Sequence, residues 1–242
     1  MKLTFLGTRG NIDERSQRHA QHTALLIEVR QSRVMVDCGE DWEGRVHELR
    51  PSVIVLTHAH PDHAWGLRGG APCPVAATAE TIELVRRFPI DLLPEIRPRE
   101  PVEFAGVEFE AFPVEHSVRC PAVGYRIRGP RATIFYAPDV AYIPNRDQAL
   151  DGVDIYIGDG ATGFRTMVRK RGPALIGHAP MQTQVTWCRK TGVPVAVFTH
   201  CGKHIVAGDE NAVLLRLRQW GAKDPERRVH VEIAHDGMQV RL

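Results

Sequence analysis

The sequence predicts an α/β fold in which two β-sheets pack face to face and helices cover their outer surfaces. Three observations carry this. Short strand-like runs alternate with helical ones along the whole chain and supply most of the apolar residues. Many runs are joined by glycine and proline turns, such as Ala105-Gly106 and Arg128-Gly129-Pro130, which suit hairpins. No low-complexity linker or internal repeat interrupts the pattern, so residues 1–242 read as one domain. In order, strands are expected at Lys2–Leu6, Thr23–Val29, Arg33–Asp37, Val53–Thr57 and Val75–Ala77, then at Val102–Phe104, Val107–Phe112, Val123–Ile127 and Thr133–Tyr136. Asp154–Ile157, Val195–Thr199, Val229–Ile233 and Met238–Leu242 complete the set. Helices are expected at Trp42–Leu49, Ala79–Phe88, Met181–Thr191 and Asp209–Trp220. Asp209 suits the N-cap of the last, Val213, Leu214 and Leu217 form its apolar face, and Gly221 stops it.

Composition narrows the class. A content of 43% hydrophobic and 25% charged residues is that of a globular protein rather than a disordered chain. No apolar run approaches the roughly 20 residues that span a bilayer, and Met1–Arg9 has too short an apolar core for a signal peptide, so no membrane partner and a cytoplasmic location are expected. Five cysteines without Cys-x-x-Cys spacing indicate neither a disulfide framework nor a zinc cluster. A net charge of +2 is too small to signal nucleic acid, so any polyanion contact must be local.

The densest chemistry lies in Thr57-His58-Ala59-His60-Pro61-Asp62-His63, directly after the apolar run Val53 to Leu56. In extended chain, side chains two apart point the same way, so His58 and His60 can converge on one ion. Pro61 then turns the chain, and Asp62 and His63 fall where a helix can begin, displaced enough to reach a second ion. Neutral imidazole and carboxylate are ordinary zinc ligands. A single histidine at a strand end is usually a satisfied core or surface residue, but four donors in this order point to metal. Other strand-like runs also end in polar residues: Asp37, the Glu115-His116-Ser117 segment, Asp139 and His200, with His178 ahead of a helix.

These segments, in this order, resemble the metallo-β-lactamase-fold hydrolase superfamily, from Leu3 to the carboxyl terminus. The resemblance implies a four-layer αββα sandwich carrying two divalent ions on one edge, zinc first, with manganese or iron as alternatives. It implies His58, His60 and His116 as ligands of one ion, and Asp62, His63 and His200 as ligands of the other, with Asp139 bridging. Asp62 also stands as a catalytic carboxylate. Asp37 matches the aspartate that orients the histidine loop without binding metal. The chain most resembles the phosphodiesterase branch, including ribonuclease Z and the cyclic-phosphate phosphodiesterase of phosphonate breakdown. That likeness rests on Leu6-Gly7-Thr8, His116-Ser117 followed by Gly124-Tyr125, and Gly177-His178 before a helix. There the residue matching His178 is a catalytic side chain, not a ligand. Nothing resembles the long arm with which ribonuclease Z grips tRNA, and the cysteine cluster of some cyclic-phosphate enzymes is absent. The expected partner is therefore a small or cyclic phosphodiester rather than folded RNA. A homodimer stays open.

Two ions roughly 3.5–4 Å apart, bridged by Asp139, can hold a hydroxide between them and neutralise phosphoryl oxygens as charge develops. A departing alkoxide needs a proton, which His178 can supply; its structural alternative is a helix-capping histidine. The polar connection between Gly7 and His22 carries Arg9, Arg15, Arg18 and His19, which read either as an anion clamp beside the metals or as a solvated loop. The basic run Arg165–Arg171 reads chiefly as a solvated face. A carboxyl-ester, thioester or lactone hydrolase on the same ions is the competing reading, since a scaffold of this kind hosts many activities. His178 and the arginine loop suit phosphate better. A sensor or scaffold without activity is the third, and the intact donor set speaks against it.

Overall fold

A computed structural model describes all of residues 1–242. Single strands decide its architecture. In the segment Ala24–Val29, Leu25, Ile27 and Val29 enter one buried cluster while Ala24 and Leu26 enter another. A strand that is apolar on both faces belongs to a sheet covered on both sides. The first sheet holds β1 (Lys2–Gly7), β2 (Ala24–Val29), β3 (Ser32–Val36), β4 (Val53–Val55), β5 (Val75–Ala76) and β15 (Gln239–Arg241), in the order β15-β1-β2-β3-β4-β5. The second holds β6 (Val102–Phe104), β7 (Val107–Val114), β8 (Ala122–Arg128), β9 (Thr133–Tyr136), β10 (Ile155–Asp159), β13 (Val195–Thr199) and β14 (His230–Ile233), in the order β14-β13-β10-β9-β8-β7-β6. A hairpin of β11 (Arg169–Arg171) and β12 (Ala174–Ile176) stands apart from both.

Three apolar clusters define four layers. The central one joins the sheets, with Leu3, Phe5 and Ile27 of the first meeting Phe109, Ile134 and Ile157 of the second. A second cluster packs Phe112, Tyr156 and Phe198 of the second sheet against Val185 and Cys188 of α4 (Met181–Thr191) and Leu217 of α6 (Glu210–Gly221). The third covers the outer face of the first sheet, where Met35 and Ile54 meet Ala64 of α1 (Pro61–Ala64) and Val85 of α2 (Ala79–Val85). Two one-turn helices, α3 (Arg146–Ala149) and α5 (Lys203–Val206), complete the set. The αββα sandwich is thus a consequence of period-two strands with both faces apolar. No helix is long and apolar enough to cross a membrane.

Each sheet has a parallel half, β3-β4-β5 in the first and β9-β10-β13-β14 in the second. Parallel strands all end at the same edge, and open α/β sheets bind ligands beyond those carboxyl ends. Asp37, His58, Asp139 and His200 follow β3, β4, β9 and β13 there, and Asp159 is the last residue of β10. His116 follows β7.

One expectation is corrected. The helix over Trp42–Leu49 is instead two 3-10 turns, Glu40–Trp42 and Val46–Leu49, because Gly44 at φ +74° breaks the run between them. Part of the basic run Arg165–Arg171 is β11, turned at Gly172 (φ +61°) to pair with β12, and its three residues are exposed, in keeping with a solvated face.

Candidate metal centre

Local chain chemistry aims the donors before any of them meet. His60 is extended at φ −64°, ψ 154°, and Pro61 begins α1, the position where a fixed φ and a missing N–H cost nothing. That places His58 and His60 before the turn and Asp62 and His63 within it. Asp37 and His200 are both non-glycine residues in the left-handed region, at φ +61° and +54°. Such backbone is costly and persists only where the surroundings hold it. Here it swings each side chain out of its strand end into the site.

Beneath the donors, Asp37 is fully buried and fixes the histidine loop. Its Oδ1 accepts the Thr57 N–H at 2.8 Å and its Oδ2 accepts His63 Nδ1–H at 2.9 Å. The Thr57 hydroxyl also donates to Asp37, and its oxygen lies 3.0 Å from His58 Nδ1. Gly177 O accepts His116 Nδ1–H at 3.2 Å. Each of these bonds engages Nδ1 and leaves Nε2 of His58, His63 and His116 for a ligand. Asp37→Asn is expected to weaken metal affinity by roughly 10–100-fold, read by chelator competition. Unchanged affinity and unchanged activity would remove Asp37 from the orienting role.

Above this floor the donors converge in two groups that share Asp139. His58 Nε2 lies 2.9 Å from His60 Nδ1, His116 Nε2 lies 3.2 Å from His60 Nδ1, and both Nε2 atoms lie 3.2 Å from Asp139 Oδ2. On the other side, His63 Nε2 is 3.3 Å from Asp139 Oδ2 and 3.4 Å from Asp62 Oδ2. His200 Nε2 is 3.0 Å from Asp62 Oδ2, and its Nδ1 is 2.9 Å from Asp139 Oδ1. Ligands at roughly 2.0–2.1 Å from a tetrahedral ion stand roughly 3.3–3.4 Å apart, so the spacings suit a cation at the centre of each group.

Two further features test the fit of a metal. His63 Nε2, His200 Nδ1 and Asp139 Oδ1 are buried without a hydrogen-bond partner, a costly condition that coordination would relieve. The charges agree. Burial lowers the pKa of His58, His60 (to about 4) and His116, so these are the neutral imidazoles that a metal accepts. Burial opposes ionisation of Asp62 and Asp139, yet the surrounding imidazoles, His63 beside Asp62 and His116 beside Asp139, hold both well below the usual carboxylate range. Burial likewise opposes protonation of His63 and His200, and the carboxylates Asp62 and Asp139 overcome it, raising both. This half of the site calls for positive charge, which a divalent cation supplies.

A third cluster joins the second. Asp159, at the end of β10, is fully buried and accepts His178 Nδ1–H on Oδ2 at 2.8 Å. Val140 N–H donates to the same oxygen and Ala161 N–H to Oδ1, so the carboxylate cannot rotate. Gln184 of α4 locks it further, accepting from Asp159 N–H and donating to Asp159 O and Ala179 O. Burial would lower the His178 pKa, but Asp159 beside it raises it and favours the protonated ring. Gly177 makes the turn into His178 at φ +96°, where a Cβ would lie 2.2 Å from Met167 O. Sequence reasoning missed Asp159 and Gln184. The signal for Asp159 was present, since Ile155-Tyr156-Ile157-Gly158-Asp159 ends an apolar strand in an acid, as Asp37 does.

A cavity of 330 Å³ opens over these groups, with His60, Asp62, His116, Asp139, His178 and His200 on its wall. From the amino-terminal loop it takes Gly10, Asn11 and Ile12. A Cβ on Gly10 would stand 3.0 Å from the His200 ring, so this glycine lets the loop lie on a donor.

The arginine clamp expected from that loop is corrected. Arg9 is buried and bonds Asp41 at 2.6 Å and Ile12 O; Arg15 bonds Asp41 at 2.8 Å. Arg18 forms a two-toothed pair with Glu210, and buried His19 lies 2.8 Å from the Thr8 hydroxyl. None of the four lines the cavity. Their partners are distant carboxylates, and the bonds shape the loop rather than present cations to a ligand.

The chain is similar in sequence and fold to several known proteins. The pattern of the beta-lactamase superfamily domain covers residues 32–201. A ribonuclease Z of Methanopyrus kandleri is 26% identical over an alignment spanning 99% of this chain and 97% of that protein. Among solved structures, the metallo-beta-lactamase fold protein YhfI from Bacillus subtilis superposes with a TM-score of 0.75 at 16% identity, covering 99% of each chain. A diphosphatase of the PhnP family superposes at 0.71 and 20% identity, covering 100% of this chain and 97% of that one.

Proposed function

The chain belongs to the beta-lactamase superfamily and is a metal-dependent hydrolase, and we propose that it hydrolyses a small or cyclic phosphodiester at two divalent ions. His58, His60, His116 and Asp139 would hold one ion, zinc being the best match to three imidazoles and a carboxylate. Asp62, His63, His200 and Asp139 would hold the other. Bound there, the ions supply Lewis acidity, making water nucleophilic near neutral pH and neutralising phosphoryl oxygens.

The observation that carries the phosphodiester reading is the Asp159–His178 pair on the wall of the donor cavity. An alkoxide leaving phosphorus needs a proton. Asp159 holds His178 by Nδ1 and favours its protonated state, so the other ring nitrogen is the proton source. Ile12, Ala161 and Met167 are the only apolar members of the wall, which suits an anion better than an acyl chain. A ribonuclease and a diphosphatase among the similar proteins support phosphorus as the electrophile. The reading keeps residues 1–242 as one acting domain and the cytoplasm as its location.

A panel on metal-quantified protein tests it. Bis(p-nitrophenyl) phosphate and 2′,3′-cyclic nucleotides are expected to turn over, with lactones and thioesters slow by comparison. A preference for lactone or thioester would replace the phosphodiesterase by the acyl hydrolase.

A further inference from the structure

His200 keeps its left-handed backbone, at φ +54°, only because its neighbours hold it there. The neighbour is the segment Thr8–Gly10, which follows β1 and pairs with Cys201. Cys201 N–H donates to Thr8 O at 2.6 Å and Gly10 N–H donates to Cys201 O at 3.1 Å, so the residue after His200 is gripped through both its backbone groups. The same segment backs the ring, since a Cβ on Gly10 would stand 3.0 Å from His200 Cε1 and Nε2. The continuation of β1 therefore sets where this donor points.

Thr8 is fixed in turn by side chains that lie outside the donor cavity. It is fully buried, and its hydroxyl donates to Asp236 Oδ1 at 2.7 Å. A hydroxyl has one proton to give, so its oxygen accepts His19 Nδ1–H, 2.8 Å away. Asp236 stands in the turn between β14 and β15. Its Oδ2 accepts Ala20 N–H at 2.8 Å and Gln21 N–H at 2.9 Å, while Gln21 O accepts the N–H groups of Thr8 and Arg9. One carboxylate near the end of the chain thus ties together both ends of the amino-terminal loop. From it a continuous path runs through the Thr8 hydroxyl and carbonyl to Cys201 N–H. Other donors are set elsewhere: His58 and His63 by Thr57 and Asp37, His116 by Gly177 O.

We propose that Asp236 and the segment Thr8–Gly10 are positioning residues for His200, and that through it they set the affinity of the ion held by Asp62, His63 and His200, with little effect on the ion held by His58, His60 and His116. This rests on the two-ion reading of the donors and adds that one of the two sites is adjusted from the far end of the chain.

Zinc affinity, measured by chelator competition on metal-free protein, tests this without turnover. Thr8→Val removes only the hydroxyl, and it and Asp236→Ala are each expected to weaken one of the two binding steps by roughly 10–100-fold, the range for groups that orient a ligand. That step is the one lost in His200→Ala, and the step lost in His60→Ala stays at the parent value. Thr8→Ser keeps the hydroxyl and should bind both ions as the parent does. Gly10→Ala crowds the ring directly and should weaken the same step as Thr8→Val. In the His200→Ala background, Thr8→Val is expected to leave the remaining ion as tightly bound as before, because residues that act only through His200 add nothing once it is gone. A further loss in that background, or equal weakening of both steps in Thr8→Val, makes the segment a general support of the fold and overturns the proposal. So does parent-like affinity at both steps in Thr8→Val and Gly10→Ala. Should Asp236→Ala not fold, the nearly isosteric Asp236→Asn takes its place, and parent-like zinc binding by it removes Asp236 from the role. Parent protein that binds one ion or none overturns the two-ion reading beneath.

Discussion

Asp139→Ala is expected to abolish turnover and to weaken both metal sites at once, with a loss of roughly 10⁴-fold or more in kcat/KM. The carboxylate is the one side chain common to all the donor groups. Its Oδ2 lies 3.2 Å from His58 and His116 and 3.3 Å from His63, while Oδ1 lies 2.9 Å from His200. Removing it leaves buried imidazoles facing one another without the negative charge that balances a cation. Asp139→Asn keeps the volume but not the charge, so it should lose both ions in the same way. Circular dichroism and thermal unfolding separate this from a failure to fold. A variant that keeps two ions and stays within tenfold of the parent would show that Asp139 bridges nothing.

His178→Ala is expected to lower the catalytic rate by roughly 10²–10⁴-fold while metal content stays at the parent level. Its ring reaches Asp159 at 2.8 Å and Asp139 at 3.5 Å, so it stands close enough to the donors to be mistaken for one. The substrate dependence separates the roles. With p-nitrophenolate leaving, little protonation is needed and the loss should shrink; with a plain alkoxide it should be full. Asp159→Asn can still accept from Nδ1 but no longer favours the charged ring, so a smaller fall in rate with the same leaving-group dependence is expected. Loss of an ion in His178→Ala would make this residue a ligand and displace His200. Full activity on a poor leaving group would end the proton-donor role.

What the sequence disclosed and what it hid follow from the range of the interactions. His58, His60, Asp62 and His63 are legible because a strand, a proline turn and a helix start fix them within a few residues. Helix α4 is legible to both ends, since Pro180 precedes it and Gly192 at φ +81° terminates it. Trp42–Leu49 misleads because its apolar spacing is helical while Gly44 breaks the backbone. The arginine loop misleads for another reason. Arg9 and Arg15 find Asp41 32 and 26 positions away, and Arg18 finds Glu210 192 positions away. No local pattern reveals that those charges are already matched. Asp159 and His178 become partners only when the chain returns to the strand edge after β11 and β12.

Two divalent ions underlie the proposed chemistry, and titration of metal-free protein with zinc tests this most directly, with bound metal and phosphodiester turnover read on the same samples. The account predicts that both rise to two equivalents per chain and then level off, with little turnover at one. Saturation of binding and of activity together at a single equivalent, or full turnover by protein shown to be metal-free, would contradict it.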